Sequence, residues 1–159
     1  MTRARLPYET LEGQGYAGVR QISVFLDNRV GQLLKLTKVV ESKEVKILGI
    51  SVIDSVDCSV VRLLFDDLDE AIEVLKNEGF AVSVAEVLIV SLPHGKRGLL
   101  SIFATLLSSE INVAYTYPLI SANIGPTIAL SVDNIEAAAE TLRKQKFDVL
   151  SESDLKNQC

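Results

Sequence analysis

Aligning Gly31-Gln-Leu-Leu with Gly98-Leu-Leu-Ser brings two stretches of this chain into one repeating pattern. In that alignment Leu33 falls on Leu100, Ser42 on Ser109, Leu63 on Leu130 and Asp66 on Asp133. Further along, Ala71 falls on Ala138, Leu75 on Leu142 and Phe80 on Phe147. The register slips by one near Val45–Ile47, where Ile47 matches Val113 better. Identities are few, but the apolar positions carry through both copies. An internal repeat decides architecture before any single motif does, because each copy must be the same supersecondary unit.

Both copies read alike. Val19–Leu26 alternates, with Ile22, Val24 and Leu26 against Gln21 and Ser23, which is a strand signal. A polar turn with a glycine follows, then Gln32–Ser42 places Leu33, Leu34, Leu36 and Val40 at helical spacing. Val45–Ile53 and Ser59–Phe65 are two β-branched strands around a turn at Asp54–Asp57, where Cys58 is expected as a small buried hydrophobe. Asp66-Asp-Leu-Asp-Glu opens a second helix, with acids where the helix dipole favours them, and Gly79 ends it. Phe80–Val84 is the fourth strand. The second copy runs through Glu86–Leu92, Gly98–Ser109, Ile111–Leu119, Pro126–Val132, Asn134–Lys144 and Phe147–Ser151.

Strand-helix-strand-strand-helix-strand is the split βαβ of the ferredoxin-like fold. The expected class is therefore α+β: two βαββαβ units whose antiparallel sheets carry helices on one face only. The expected division is a tail over residues 1–17, a first unit over 18–85 and a second over 86–155. Each unit has only about 70 residues, a size at which one core is marginal, so the copies are expected to pack together. Phe25, Leu64, Leu88, Val90 and Leu92 are expected on the open sheet faces, which predicts an interface there and a homodimer.

Composition removes several classes. With 48% hydrophobic residues the chain has to form a core, yet no apolar run approaches the ~18 residues of a membrane span. The net charge is −5 and the sixteen basic residues are scattered, which argues against nucleic-acid binding. Cys58 and Cys159 form neither a disulfide framework nor a metal-ligand spacing. No metal or other cofactor is expected. The N-terminus lacks the apolar stretch of a signal peptide, and a reduced cytoplasmic setting is expected.

A strand, then Asp27-Asn28-Arg29-Val30-Gly31-Gln32-Leu33, then an amphipathic helix resembles the signature of ACT domains, typically Asn-x-Pro-Gly-x-Leu. Asn28, Gly31 and Leu33 match, and Val30 stands where proline is usual. In the second copy, His94-Gly95-Lys96-Arg97-Gly98-Leu99-Leu100 keeps Gly98 and Leu100 but has Gly95 in the asparagine position. The resemblance covers Gly18 to Leu155 and extends to stand-alone tandem ACT proteins. It implies binding of an amino acid or similar small ligand at the loop between first strand and first helix, often across an interface with a neighbouring domain. It also implies regulation of an enzyme, which here would be a separate chain.

Physical chemistry reaches the same loop independently. The first turn of a helix leaves backbone N–H groups unpaired at the positive end of the dipole, so a carboxylate fits there. Gly31 admits close approach, Asn28 offers a donor and an acceptor, and Asp27 can pair with an ammonium. The same Asp-Asn-x-x-Gly also reads as an ordinary turn with an N-cap that binds nothing. In the second copy Lys96 and Arg97 can attract an anion or simply be solvated.

Tyr115 and Tyr117 share one face of their strand, as pocket wall or as plain packing, and the packing reading is favoured. Ile50, Ser51 and Val52 are their counterparts, and Val30, Ile50 and Val52 lean towards an aliphatic ligand. His94, the single histidine, is expected as a surface loop residue. No nucleophile with an adjacent base and no phosphate-binding glycine loop is present, so the expected function is a non-catalytic amino-acid sensor. The alternative is a pure protein-interaction subunit that regulates an enzyme through its open sheet faces.

Overall fold

A computed structural model describes residues 16–120 and 125–156 of the chain. The first unit runs β1 (Val19–Asp27), α1 (Gln32–Glu41), β2 (Ile47–Asp54), β3 (Cys58–Phe65), α2 (Leu68–Asn77) and β4 (Ala81–Ser91). The second continues with α3 (Gly98–Ser108), β5 (Val113–Pro118), β6 (Thr127–Val132), α4 (Ile135–Lys144), β7 (Val149–Leu150) and α5 (Glu152–Lys156). Most of the tail, residues 1–15, and Cys159 lie outside the described residues. The end of that stretch is not tail-like: Ala17 is buried in the second unit's core, and Tyr16 donates its hydroxyl to Glu86 at 2.5 Å.

The strands lie in the order β2-β3-β1-β4-β6-β5, all antiparallel, and β7 adds to β4. The order is the βαββαβ order used twice, with β4 common to both units. Its Ala81–Val87 half pairs with β1, and its Leu88–Ser91 half pairs with β6 and β7. The two strands expected at Phe80–Val84 and Glu86–Leu92 are thus one strand of 11 residues. No glycine, proline or turn pair falls between Val84 and Val87, so nothing bends the extended chain there.

Three cores follow from strand alternation. Ile22, Val24, Leu63 and Phe65 pack beneath Leu36, Val40 and Leu75 of α1 and α2. Leu88, Val90 and Leu130 pack beneath Ile102, Leu106 and Leu142 of α3 and α4. Between the units, Val19, Leu48, Leu64, Val87, Ile89, Tyr117 and Ala129 form a third cluster. There the helix-free faces of the two sheets meet. Leu88, Val90 and Leu92, expected on an open face, turn instead to the helices, and Val87 and Ile89 point into the seam. A one-residue change of parity moves every side chain to the other face, and the expected phase of this strand was off by one. Leu64 is buried in the seam as an open-face residue, whereas Phe25, also on that face, remains 45% exposed.

Local devices repeat where the sequence repeats. Asp67 caps α2 by accepting from Glu70 N–H at 3.2 Å, and Asn134 caps α4 from Ala137 N–H at 3.0 Å. Asp66 Oδ1 takes the N–H of Lys46, and Asp133 Oδ1 takes that of Asn112. Gly79 and Lys146 both end their helices in the left-handed region, at φ 84° and 69°. β2 and β5 carry matching bulges, at Ile47/Gly49 and Val113/Tyr115, positions that correspond in the alignment shifted by one.

Two details depart from expectation. Cys58 is only half-buried, with Sγ 3.6 Å from Ser55 Oγ, because it sits at the exposed start of β3. The chain also closes with α5, whose signal was present in Ser151-Glu-Ser-Asp154. Ser151 N–H donates to Asp154 Oδ2 at 2.8 Å and Asp154 N–H donates to Ser151 Oγ at 3.3 Å, a capping box. Leu155 of α5 is 1% exposed and completes the seam. Among the described residues no helix is long and apolar enough to cross a membrane.

Candidate functional site

The β1–α1 loop forms as a helix entry without a cap. Gly31 stands at the N-cap with φ 85°, a conformation other L residues avoid, and no side chain caps the helix. The N-cap alternative for this loop is therefore not realised. Lys35 N–H reaches Gly31 carbonyl at 3.0 Å and Gln32 N–H reaches Arg29 carbonyl at 3.4 Å. Among the described residues, Leu33 and Leu34 N–H meet no acceptor ahead of the helix. Asp27 is already paired with Arg29, 2.9 Å apart, and both are about 70% exposed. Asn28 is exposed beside them and Val30 projects fully into solvent.

The β4–α3 loop shares the missing side-chain cap but places its glycine one position later, as the first residue of the helix. Arg97 is the N-cap of α3 and makes no side-chain cap bond, while Gly98 is buried against Pro93. A Cβ on Gly98 would stand 3.1 Å from the Pro93 carbonyl, a tight contact that favours glycine here. His94, Gly95, Lys96, Arg97 and Leu99 are exposed. Gly95 carries the turn at φ 106°. The contrast within each unit is consistent: the first helix is uncapped and the second is capped by Asp67 or Asn134.

The remaining candidates lie elsewhere. The two loops sit at opposite ends of β4, on the order of 30 Å apart along an extended strand of this length. Ile50 packs into the first core, and Val52 on the same side is largely exposed. Ser51 is turned to the opposite face, where it pairs in register with Arg62. Tyr115 and Tyr117 do face the first unit, with hydroxyls in hydrogen bonds, but as packed seam residues.

Tyr117 donates to Gln21 Oε1 at 2.6 Å, and Gln21 Nε2 donates to the Tyr115 hydroxyl at 2.9 Å. Gln21 is fully buried, and the sequence reading passed over it because its partners come from the other unit. Burial raises the Tyr117 phenol well above its ordinary range, with the Tyr115 hydroxyl adding to the effect. Gly49, the bulge counterpart of Tyr115, leaves room for Tyr117: a Cβ there would lie 3.4 Å from its ring.

A cavity of about 220 Å³ opens at the other end of the first sheet from the Gly31 loop, between the β3–α2 turn and α5. Arg20 crosses it, bonding Asp69 at 2.8 Å and Glu152 at 2.8 and 3.1 Å. The Arg20 bond holds the Asp69 carboxyl below its ordinary range. Asp66 and Asp67 are occupied by backbone N–H groups. The cavity's polar groups thus tie α5 to the first unit. Among the described residues no group of three or more His, Cys, Asp and Glu side chains is placed to hold a metal.

Solved structures share this architecture. A protein of Bacteroides thetaiotaomicron superposes with a TM-score of 0.81 at 26% identity, covering 89% of this chain and 97% of that one. The ligand-free regulatory subunit of aspartate kinase from Thermus thermophilus superposes at 0.57 with 14% identity, over 80% and 92% of the two chains. Its counterpart from Thermus flavus gives 0.52 and 15%, over 79% and 90%. No curated protein sequence matches the chain. A family model described as an ACT domain pair matches residues 17–159. With β4 threading two βαββαβ units and that match covering nearly its whole length, the chain belongs to the ACT domain-pair family.

Proposed function

We propose that this chain is a non-catalytic regulatory protein of the cytoplasm that binds a small molecule, an amino acid first of all, at its glycine loops. The observation that carries the reading is the uncapped entry of α1 and of α3, beside capped α2 and α4. Free N–H groups at a positive helix end suit a ligand carboxylate. Asn28, Arg29, Gly31, Gln32 and Leu33 would hold it in the first unit, with Gly95 to Leu99 as the counterpart. Since β4 belongs to both units, a change at one loop has a direct route to the other.

Partners are proposed on the same footing. Leu99, Leu100 and Leu107 are 47%, 62% and 75% exposed on α3, which carries no charged residue. An apolar surface of this kind suits a homodimer or a separate enzyme. It favours the interaction-subunit alternative as well, although the sheet faces first invoked for it are largely consumed within the chain.

Thermal denaturation in the presence of each common amino acid tests the reading. A ligand at ~100 times its Kd adds about 2.7 kcal/mol, a shift of several degrees. Asn28→Ala is expected to abolish that shift while leaving the unliganded Tm unchanged, because Asn28 caps nothing. A panel without any shift, or a shift that survives Asn28→Ala, overturns the assignment of the loop.

A further inference from the structure

One row of polar side chains on the first sheet makes no hydrogen bond or ion pair among the described residues. On the face turned from α1 and α2, strand register sets Ser83, Ser23, Arg62 and Ser51 side by side across β4, β1, β3 and β2. The adjoining row towards the Gly31 loop is Ala81, Phe25, Val60 and Ile53. Neither row contains a carboxylate.

Arg62 is half-buried, and among the described residues it has no hydrogen-bond acceptor and no ion-pair partner. The Ser23 and Ser51 hydroxyls are likewise without partners there. The Tyr115 ring lies 3.8 Å from the guanidinium carbon and covers one flat side of it. Tyr115 is itself held by Gln21 and stacked near Tyr117, with ring centroids 6.5 Å apart. The guanidinium is therefore oriented while its edge N–H groups stay open. Beside it Phe25 and Ile53 are 45% and 43% exposed.

A fixed planar fork of donors matches a carboxylate, which accepts two parallel N–H bonds. Half-burial strengthens that attraction compared with a fully solvated arginine. We propose that this face is a binding site for a small organic carboxylate with an apolar body. The carboxylate bridges the edge of Arg62 and accepts from Ser23 and Ser51. The apolar body lies over Phe25, Val60 and Ile53. Without an acidic side chain on either row an α-ammonium has no counter-charge, so the site prefers a simple carboxylate to the corresponding amino acid. The proposal is independent of the glycine loops.

The test titrates isotope-labelled full-length protein with isocaproate, and separately with leucine and inorganic phosphate, following backbone amide shifts. Isocaproate is expected to move amides at Ser23, Phe25, Ser51 and Arg62 rather than at Gly31 or Gly98. Arg62→Gln should weaken it about tenfold or more, the loss expected for hydrogen bonds to a charged group. Ile53→Asp, an exposed position with no role in packing Arg62, should weaken it too and keeps the test valid if Arg62→Gln misfolds. Shifts confined to the glycine loops, unchanged affinity in Ile53→Asp or in a folded Arg62→Gln, or equal binding by phosphate overturn the proposal. Leucine binding as tightly at this row overturns the stated preference, and leucine shifts at Gly31 report on the loop reading alone.

Discussion

Gln21 and Tyr117 hold the most consequential polar contact in the molecule, because both are removed from water and each answers the other. Tyr117→Phe leaves Gln21 Oε1 without its donor, and a buried unsatisfied group costs about 1–3 kcal/mol. Urea denaturation measures that loss, and Gln21→Ala is expected to exceed it by also stripping Tyr115. The Tyr117 phenol titrates late because burial disfavours its charged form. Its native pKa lies above the unfolded value, so the stabilisation is complete below about pH 10 and is lost as pH rises beyond it. Phenolate absorbance should show Tyr117 ionising only as the protein unfolds. Tyr16 behaves differently: its bond to Glu86 pushes it up to about 12, yet it is exposed and should titrate without unfolding.

At the scale of elements, the helix ends separate structural residues from those free to bind. Asp67→Ala and Asn134→Ala each remove a cap bond and are expected to cost about 1 kcal/mol, read from the shift in urea midpoint. Asn28→Ala should cost nothing, since no cap is lost. Lys146 occupies the left-handed position that Gly79 fills in the first unit, and Lys146→Gly is expected to raise stability by about 1 kcal/mol. The reverse change, Gly79→Ala, should lower it by a similar amount. These positions were readable from the repeat, because capping chemistry depends on residues three or four apart.

The whole molecule is held by the seam. Leu155→Ala removes a fully buried side chain between the units and is expected to cost about 2–5 kcal/mol. Both units should still unfold in one transition, because β4 cannot leave one sheet without leaving the other. The Arg20 bonds to Asp69 and Glu152 brace α5 at the rim. Asp69 has its pKa depressed in the native state, so its contribution is present at neutral pH and fades as pH falls through the carboxylate range. Amide exchange in the first turn of α2 should therefore accelerate at acid pH before the sheet is affected, and Arg20→Leu, which also frees Glu152, should accelerate exchange in α5 at neutral pH.

The sequence by itself determined the repeat, the order of elements, the helix caps and the glycine turns, because all of these depend on periodicity and on near neighbours along the chain. Even the one-residue slip at Ile47 and Val113 was legible, and equivalent bulges in β2 and β5 follow that shifted alignment. Tertiary structure alone decided which side of β4 faced the helices, since Val87, Leu88, Ile89 and Val90 are all apolar and carry no alternation to read. It also decided that Gln21 would meet Tyr115 and Tyr117, and that Arg62 would stack on a ring from the other unit. Such contacts join residues far apart in sequence. They exist only because the apolar parts of two helix-free sheet faces close on one another.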